Sequence, residues 1–166
     1  KRRWGRVTEN LRWLNCFSVD IDCGRTEADA KTPAQLMTVR EAQRRLEDLQ
    51  DAGIIPPVSI YGYSGRGLYA IWLLHDDRNT EQSVPALRHF IPTWKRIQRE
   101  LVERVERAQL PADRAGSLPT QYYKLPGVIH PVTKQAAAYF ITLQGDAGKK
   151  RLISYSMSKL ASTLCL

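Results

Sequence analysis

At 166 residues, with 43% hydrophobic and 25% charged side chains, the chain is long enough to bury a core of its own and has a globular composition, neither disordered nor fibrous. Twenty-five Lys and Arg against 17 Asp and Glu leave a formal charge of +8, and the pI near 9.6 favours a polyanionic partner. Three cysteines (Cys16, Cys23, Cys165) are too few and too scattered for a zinc ligand set or a disulfide framework, and no apolar run approaches the roughly 20 residues of a membrane helix, so the expected setting is cytoplasmic, with no membrane partner.

The chain opens on Lys1 and closes on an apolar run, and the expectation is a single domain over 1–166 cut from a larger protein. Its first 14 residues set Lys1, Arg2, Arg3, Arg6 and Arg12 among Trp4 and Trp13, a mixture that suits phosphate contact and stacking or an ordinary amphipathic lead-in. In the stretch 15–24 that follows, period 2 turns Phe17, Val19 and Ile21 to one face and Ser18, Asp20 and Asp22 to the other. Two carboxylates two residues apart on a strand have Cα atoms roughly 6–7 Å apart, within convergence on one hard cation. A divalent metal site and a solvated strand end both fit that pattern.

Residues 24–33 are polar and turn-like, and a helix then begins. Thr38 with Glu41 forms a capping box, Val39, Ala42, Leu46 and Leu49 keep an apolar stripe, and Gly53 supplies the stop. After Pro56-Pro57, residues 58–63 and 68–74 read as two strands joined by Ser64-Gly65-Arg66-Gly67. Two glycines flanking an arginine allow backbone N–H groups, a hydroxyl and a guanidinium to approach an anion, although such turns are commonly only turns. His75-Asp76-Asp77 closes the hairpin as a charged strand end, with the two aspartates as outside candidates for metal ligation.

Residues 84–108 return to helical spacing, with Trp94, Ile97, Leu101 and Val105 as core and Pro92 expected to kink or divide the helix. Residues 109–131 are loop-like and hold Ala112-Asp113 and Tyr122-Tyr123-Lys124-Leu125-Pro126-Gly127. A strand is expected over 136–143, a turn over 145–148 beside the basic cluster Lys149, Lys150 and Arg151, a partner strand over 152–155, and a helix from Met157.

Taken together, these motifs resemble the archaeo-eukaryotic primase (AEP) superfamily, and particularly the primase-polymerases of plasmids, phages and mobile elements. An apolar strand ending in Asp-x-Asp is matched by residues 17–22, a Ser-Gly-x-Gly turn running into an apolar strand by residues 64–72, and an Ala-Asp segment followed about eleven residues later by a basic-Leu-Pro-Gly turn by Ala112-Asp113 and Lys124-Leu125-Pro126-Gly127. The resemblance spans residues 16–131 in the family's order. It implies an α+β fold with an RRM-like palm sheet, mixed or antiparallel, whose helices flank the face away from the cleft. It implies a DNA-dependent primase or polymerase, a nucleotidyltransferase that uses Mg²⁺ or Mn²⁺ on single-stranded DNA template and nucleoside triphosphates, with a helicase domain or protein as a further candidate partner.

By the same likeness Asp20, Asp22 and Asp113 hold the metals and act in catalysis, while Ser64, Gly65, Arg66, Gly67, Tyr69, Lys124 and His130 bind nucleotide. The sequence departs from the pattern in three places. Leu68-Tyr69 stands where relatives often carry a histidine, Lys124 where they commonly carry arginine, and His130 where asparagine is frequent. The competing expectation is a non-catalytic module that binds single-stranded or origin DNA on the same scaffold. Rolling-circle nickases fit poorly, because they need two histidines one residue apart, and His75, His89 and His130 are isolated.

Overall fold

The computed structural model of the protein describes residues 8–114, 118–144 and 150–166. The basic residues Lys1, Arg2, Arg3 and Arg6, Trp4, the turn expected over 145–148 and Lys149 lie outside the described residues.

Strand β2 (Cys16–Ile21) forms as its alternation demands, with Phe17, Val19 and Ile21 fully buried. It pairs antiparallel with β4 (Leu68–Leu73), so that Phe17 lies opposite Trp72, Val19 opposite Ala70 and Asp20 opposite Tyr69. Strand β3 (Ile60–Tyr63) pairs antiparallel with the other side of β4, and β6 (Ala138–Ile141) pairs antiparallel with β3. The resulting four-stranded order is β2-β4-β3-β6. Because β2 and β3 both run against β4 they are parallel to each other and need a crossover, which α1 (Val39–Asp51) supplies. Thr38 caps α1 by accepting the Glu41 N–H, Ala42, Leu46 and Leu49 are buried, and Gly53 takes φ +68 just past its end.

A second helix, α2 (Phe90–Arg107), packs on the same face: Trp94 stacks on Phe17 at 5.3 Å between ring centroids, and Ile97, Leu101 and Val105 enter the shared core. The helix starts later than its periodicity suggests. Val84–Pro85 is instead a short strand, β5, paired with β1 (Trp13–Leu14), and Pro92 sits in the first turn of α2, where its missing N–H breaks no bond, so it causes neither kink nor division. Two short strands, β7 (Leu143–Gln144) and β8 (Arg151–Leu152), form a separate pair, and α3 (Met157–Thr163) packs on α2. The expected strand over 136–143 is therefore divided at Thr142, whose N–H bonds the Ser59 carbonyl.

The edge of β2 away from β4 is covered along much of its length by two different devices. At its start, Trp94 donates its Nε1–H to the Cys16 carbonyl at 3.2 Å, while the Gln98 amide accepts the Ser18 N–H at 3.1 Å and donates to the Ser18 carbonyl at 2.6 Å. Beyond that, Pro111 to Asp113 lies alongside as a stub of antiparallel strand. Ala112 bridges Ile21, Asp22 N–H bonds the Pro111 carbonyl at 2.9 Å, and Asp113 N–H bonds the Asp20 carbonyl at 2.7 Å. Counting that stub, the chain reads β-α-β-β-α-β around one antiparallel sheet, the RRM-like arrangement, with both helices on one face and the acidic residues on the other.

Candidate active site

The face opposite the helices carries Ser18 and Asp20 from β2, Tyr69 and Ile71 from β4, Gly62 from β3 and Tyr139 from β6, as the strand registers dictate. Gly62 is required there: a Cβ on it would stand 2.6 Å from the Tyr139 ring and 3.0 Å from Tyr69. The two tyrosines thus close over the strand and make a floor. Residues 118–125 cross above it. Tyr123 donates its hydroxyl to Ser18 Oγ and sets its ring edge-on to Tyr69 at 5.3 Å, and the Tyr139 hydroxyl bonds the Lys124 carbonyl at 2.5 Å. Ser18, which alternation turns to the same face as Asp20, is only 6% exposed and is bonded by Tyr123. Burial raises the phenols of Tyr123 and Tyr69 well above the ordinary range, that of Tyr69 to about 12, which keeps both neutral donors.

Asp20 and Asp113 are brought together by the stub pairing, from positions 93 residues apart in sequence. Burial first, then the Asp113 and Asp22 carboxylates, push the Asp20 carboxyl up to about 7, with Lys124 and Arg25 pulling the other way. Two acids and one of these basic neighbours thus come from three separate segments. Asp22, just past β2, is turned aside: Arg25 forks it with Nε at 2.7 Å and a terminal nitrogen at 2.6 Å, and the Gln35 amide adds a bond of 2.6 Å. Among the described residues no three His, Cys, Asp or Glu side chains are grouped as a ready metal site. Asp76 caps the Arg78 N–H at 2.8 Å and Asp77 accepts from Ser158, so both aspartates of the hairpin end are engaged in local structure.

The Ser64–Gly67 turn sits against the last residue of β2, and a Cβ on Gly67 would lie 2.8 Å from the Ile21 carbonyl. Ser64 Oγ spends its bonds inside the turn, accepting the Gly67 N–H at 2.9 Å and donating to the Gly67 carbonyl at 3.2 Å. Gly65 has φ +87 and is pressed by the 130–135 loop, with His130 Cβ 2.6 Å from where a side chain would begin and Thr133 donating to the Gly65 carbonyl. Arg66 is paired with Asp29 at 2.6 Å, while its Nε is buried with no hydrogen-bond partner. Lys124 Nζ donates to the Ser64 carbonyl at 3.1 Å, and His130 Nδ1 lies 3.2 and 3.3 Å from two backbone N–H groups, which makes it an acceptor and puts the proton of a neutral ring on Nε2. Burial, then Lys124 and Arg66, hold the His130 imidazole below its usual range.

Ser64 to Gly67, Lys124 and His130 thus form one group and Asp20 with Asp113 another, joined by Lys124. The sequence motifs do not single out Gln98, Tyr139, Gly62 or the Arg25–Asp22–Gln35 cluster. Gln98 and Tyr139 act through long-range contacts, whereas the glycine at 62, interrupting an aromatic strand, is a local signal of a close approach.

No protein-family model matches the chain. Over 132 residues, 78% of the chain, it is 29% identical to a "Replication protein" of Clostridium perfringens, of which the match covers 27%, so the chain spans about a quarter of the curated relative it matches. Among solved structures, the AEP domain of the cyanophage S-2L primase-polymerase is similar over 96% of this chain and 65% of that one, with a TM-score of 0.60 at 16% identity. Among the described residues no helix is long and apolar enough to cross a membrane. With the β-α-β-β-α-β order, the antiparallel sheet and this likeness in agreement, the chain has the fold of an archaeo-eukaryotic primase (AEP) domain.

Proposed function

We propose that the protein is a primase-polymerase domain, a nucleotidyltransferase that joins nucleotides on single-stranded DNA template in the replication of a plasmid, phage or other mobile element. The observation that carries this is the meeting of Asp20 with Asp113 across the edge of β2, under Lys124. A carboxyl raised to about 7 by burial and by other carboxylates is a site short of positive charge, and an all-oxygen donor set suits Mg²⁺ or Mn²⁺. Asp20 and Asp113 would hold such a cation, with Asp22 joining once Arg25 and Gln35 release it. Bound there, the cation would supply charge to the phosphoryl oxygens and acidify the attacking hydroxyl.

The chain's own residues would do the positioning. Lys124, with His130 and the Gly65 and Gly67 backbone beside it, would receive the triphosphate at the β3–β4 turn, and Arg66 would take part on exchanging its Asp29 partner for phosphate. Tyr69 and Tyr139 would provide a neutral floor beneath the nucleotide. Template, nucleoside triphosphates and a helicase domain or protein are the partners this role calls for, and the cytoplasm is where they would meet it.

A second reading, a DNA-binding module without chemistry, is favoured by the engaged state of Asp22 and Arg66. Incubation with single-stranded template, Mn²⁺ or Mg²⁺ and labelled nucleotides separates the two. The wild type is expected to yield short products and the Asp20→Ala, Asp22→Ala double variant none, while it stays folded and binds template. Salt-sensitive DNA binding without product from the wild type would establish the binding module instead.

A further inference from the structure

A cavity of about 510 Å³ opens beside the first half of β2, within the size range of small-ligand sites. Ser18, Trp94, Trp13, Gln121, Tyr122 and Tyr123 contribute to its lining. None of its lining residues carries a formal charge. Trp13 and Tyr122 are 51% and 66% exposed, leaving aromatic surface at the cavity for a flat ring, and the side-chain amides of Asn15 and Gln121 add donors and acceptors for ring edges. The cavity therefore suits a nucleobase and offers no cationic side chain to a phosphate.

Its position along β2 assigns the base to a particular nucleotide. The strand acts as a ruler: the cavity lies at Cys16 and Ser18, Asp20 comes next on the same face, and the Ser64–Gly67 turn abuts Ile21 at the far end. In phosphoryl transfer the attacking and leaving oxygens lie roughly in line through phosphorus. With the leaving phosphates at the turn beside Lys124, the attacking hydroxyl must come from the opposite direction, which is the cavity side of Asp20.

We propose that this cavity is the initiation subsite, which holds the base of the nucleotide whose 3′-hydroxyl begins the new strand. The assignment rests on the primase-polymerase reading above. In the step it serves, the 3′-oxygen bonds to the α-phosphorus of a second nucleoside triphosphate, the bond from that phosphorus to the bridging oxygen of the β-phosphate breaks, pyrophosphate departs, and the hydroxyl proton is lost to solvent. An initiating nucleotide has no primer terminus to stack on, so a stacking surface for its base must come from the protein. Loss of one stacking partner should weaken binding roughly tenfold, equivalent to about 1.4 kcal/mol.

Two measurements on the full chain test the assignment. Adenosine and guanosine, which lack phosphate, are titrated without metal while tryptophan fluorescence is read; the wild type should show saturable quenching, weakened roughly tenfold in Trp13→Leu and in Tyr122→Ala. Dinucleotide formation from nucleoside triphosphates is then compared with extension of a pre-annealed primer, and each variant should shift that ratio against initiation by a similar factor. Absence of quenching in the wild type, or an unchanged ratio in both variants, would overturn the subsite. A wild type that binds nucleoside but makes no product on any template contradicts the primase reading, and the initiating role falls with it.

Discussion

Asp20 carries the most unfavourable charge described in the molecule. It is half-buried beside two other carboxylates, and its acidity is set by the fold rather than by its own chemistry. A carboxyl held at about 7 in the folded chain, against an ordinary 3.8, retains a proton that the unfolded chain releases. Between those values the folded state binds more protons, so stability is greatest at the acid end and falls as pH rises through 4 to 7. Metal-free protein should therefore melt at a lower temperature at pH 8 than at pH 5, with Asp20 contributing at most roughly 3 kcal/mol to the difference. Asp20→Asn should remove most of that pH dependence in thermal melts, and Mn²⁺ should restore stability to the wild type alone; equal pH dependence in the variant would contradict the account. The facing of Asp20 was legible in the sequence because period 2 fixes it. The bonds of Asp22 were not, because Arg25 reaches it from an irregular segment and Gln35 from a single 3-10 turn over Pro33–Leu36.

At the scale of elements, the strand that bears the acids is held by its edges. Gln98 is 2% exposed and satisfies both backbone groups of Ser18, so Gln98→Leu leaves a buried N–H and a buried carbonyl without partners. The expected cost is roughly 2–5 kcal/mol, seen as a lower urea midpoint with an unchanged slope. A loss below about 0.5 kcal/mol would mean that the edge is sealed by something other than this amide. Helix α1 was readable to the residue at its start, because a capping box and an apolar stripe are both local signals. The start of α2 was not, because Val84 and Pro85 continue an apolar run yet pair with β1, a contact that no local pattern encodes. Nor was the stub at 111–113, where a loop-like sequence takes a strand's place only because β2 offers it an unpaired edge.

Over the whole molecule, a chain of net charge +8 sets Asp20, Asp22 and Asp113 near one another at the end of β2 and lays a neutral aromatic cavity along the same strand. The sequence motifs conveyed the order of these parts and the class of fold, since each motif is a strand end or a turn that the sheet needs in any case. They did not convey the cover. The segment 118–125 carries Tyr123 onto Ser18 and Lys124 onto Ser64, and its anchors, Ser18, Ser64 and Tyr139, are spread over more than a hundred residues. Such a cover makes access to the acids depend on how this segment is held, while the sheet beneath stays fixed by its ladders and by the core behind it.

The central claim is that Asp20 and Asp113, joined across the edge of β2, hold a divalent cation together. Titration of Mn²⁺ into the intact chain, read by the loss of free Mn²⁺ signal in electron paramagnetic resonance, tests it most directly. Saturable binding by the wild type, weakened at least roughly tenfold in both Asp20→Asn and Asp113→Asn with the fold retained, is the predicted result. Wild-type binding by Asp113→Asn, or none by the wild type, would contradict it.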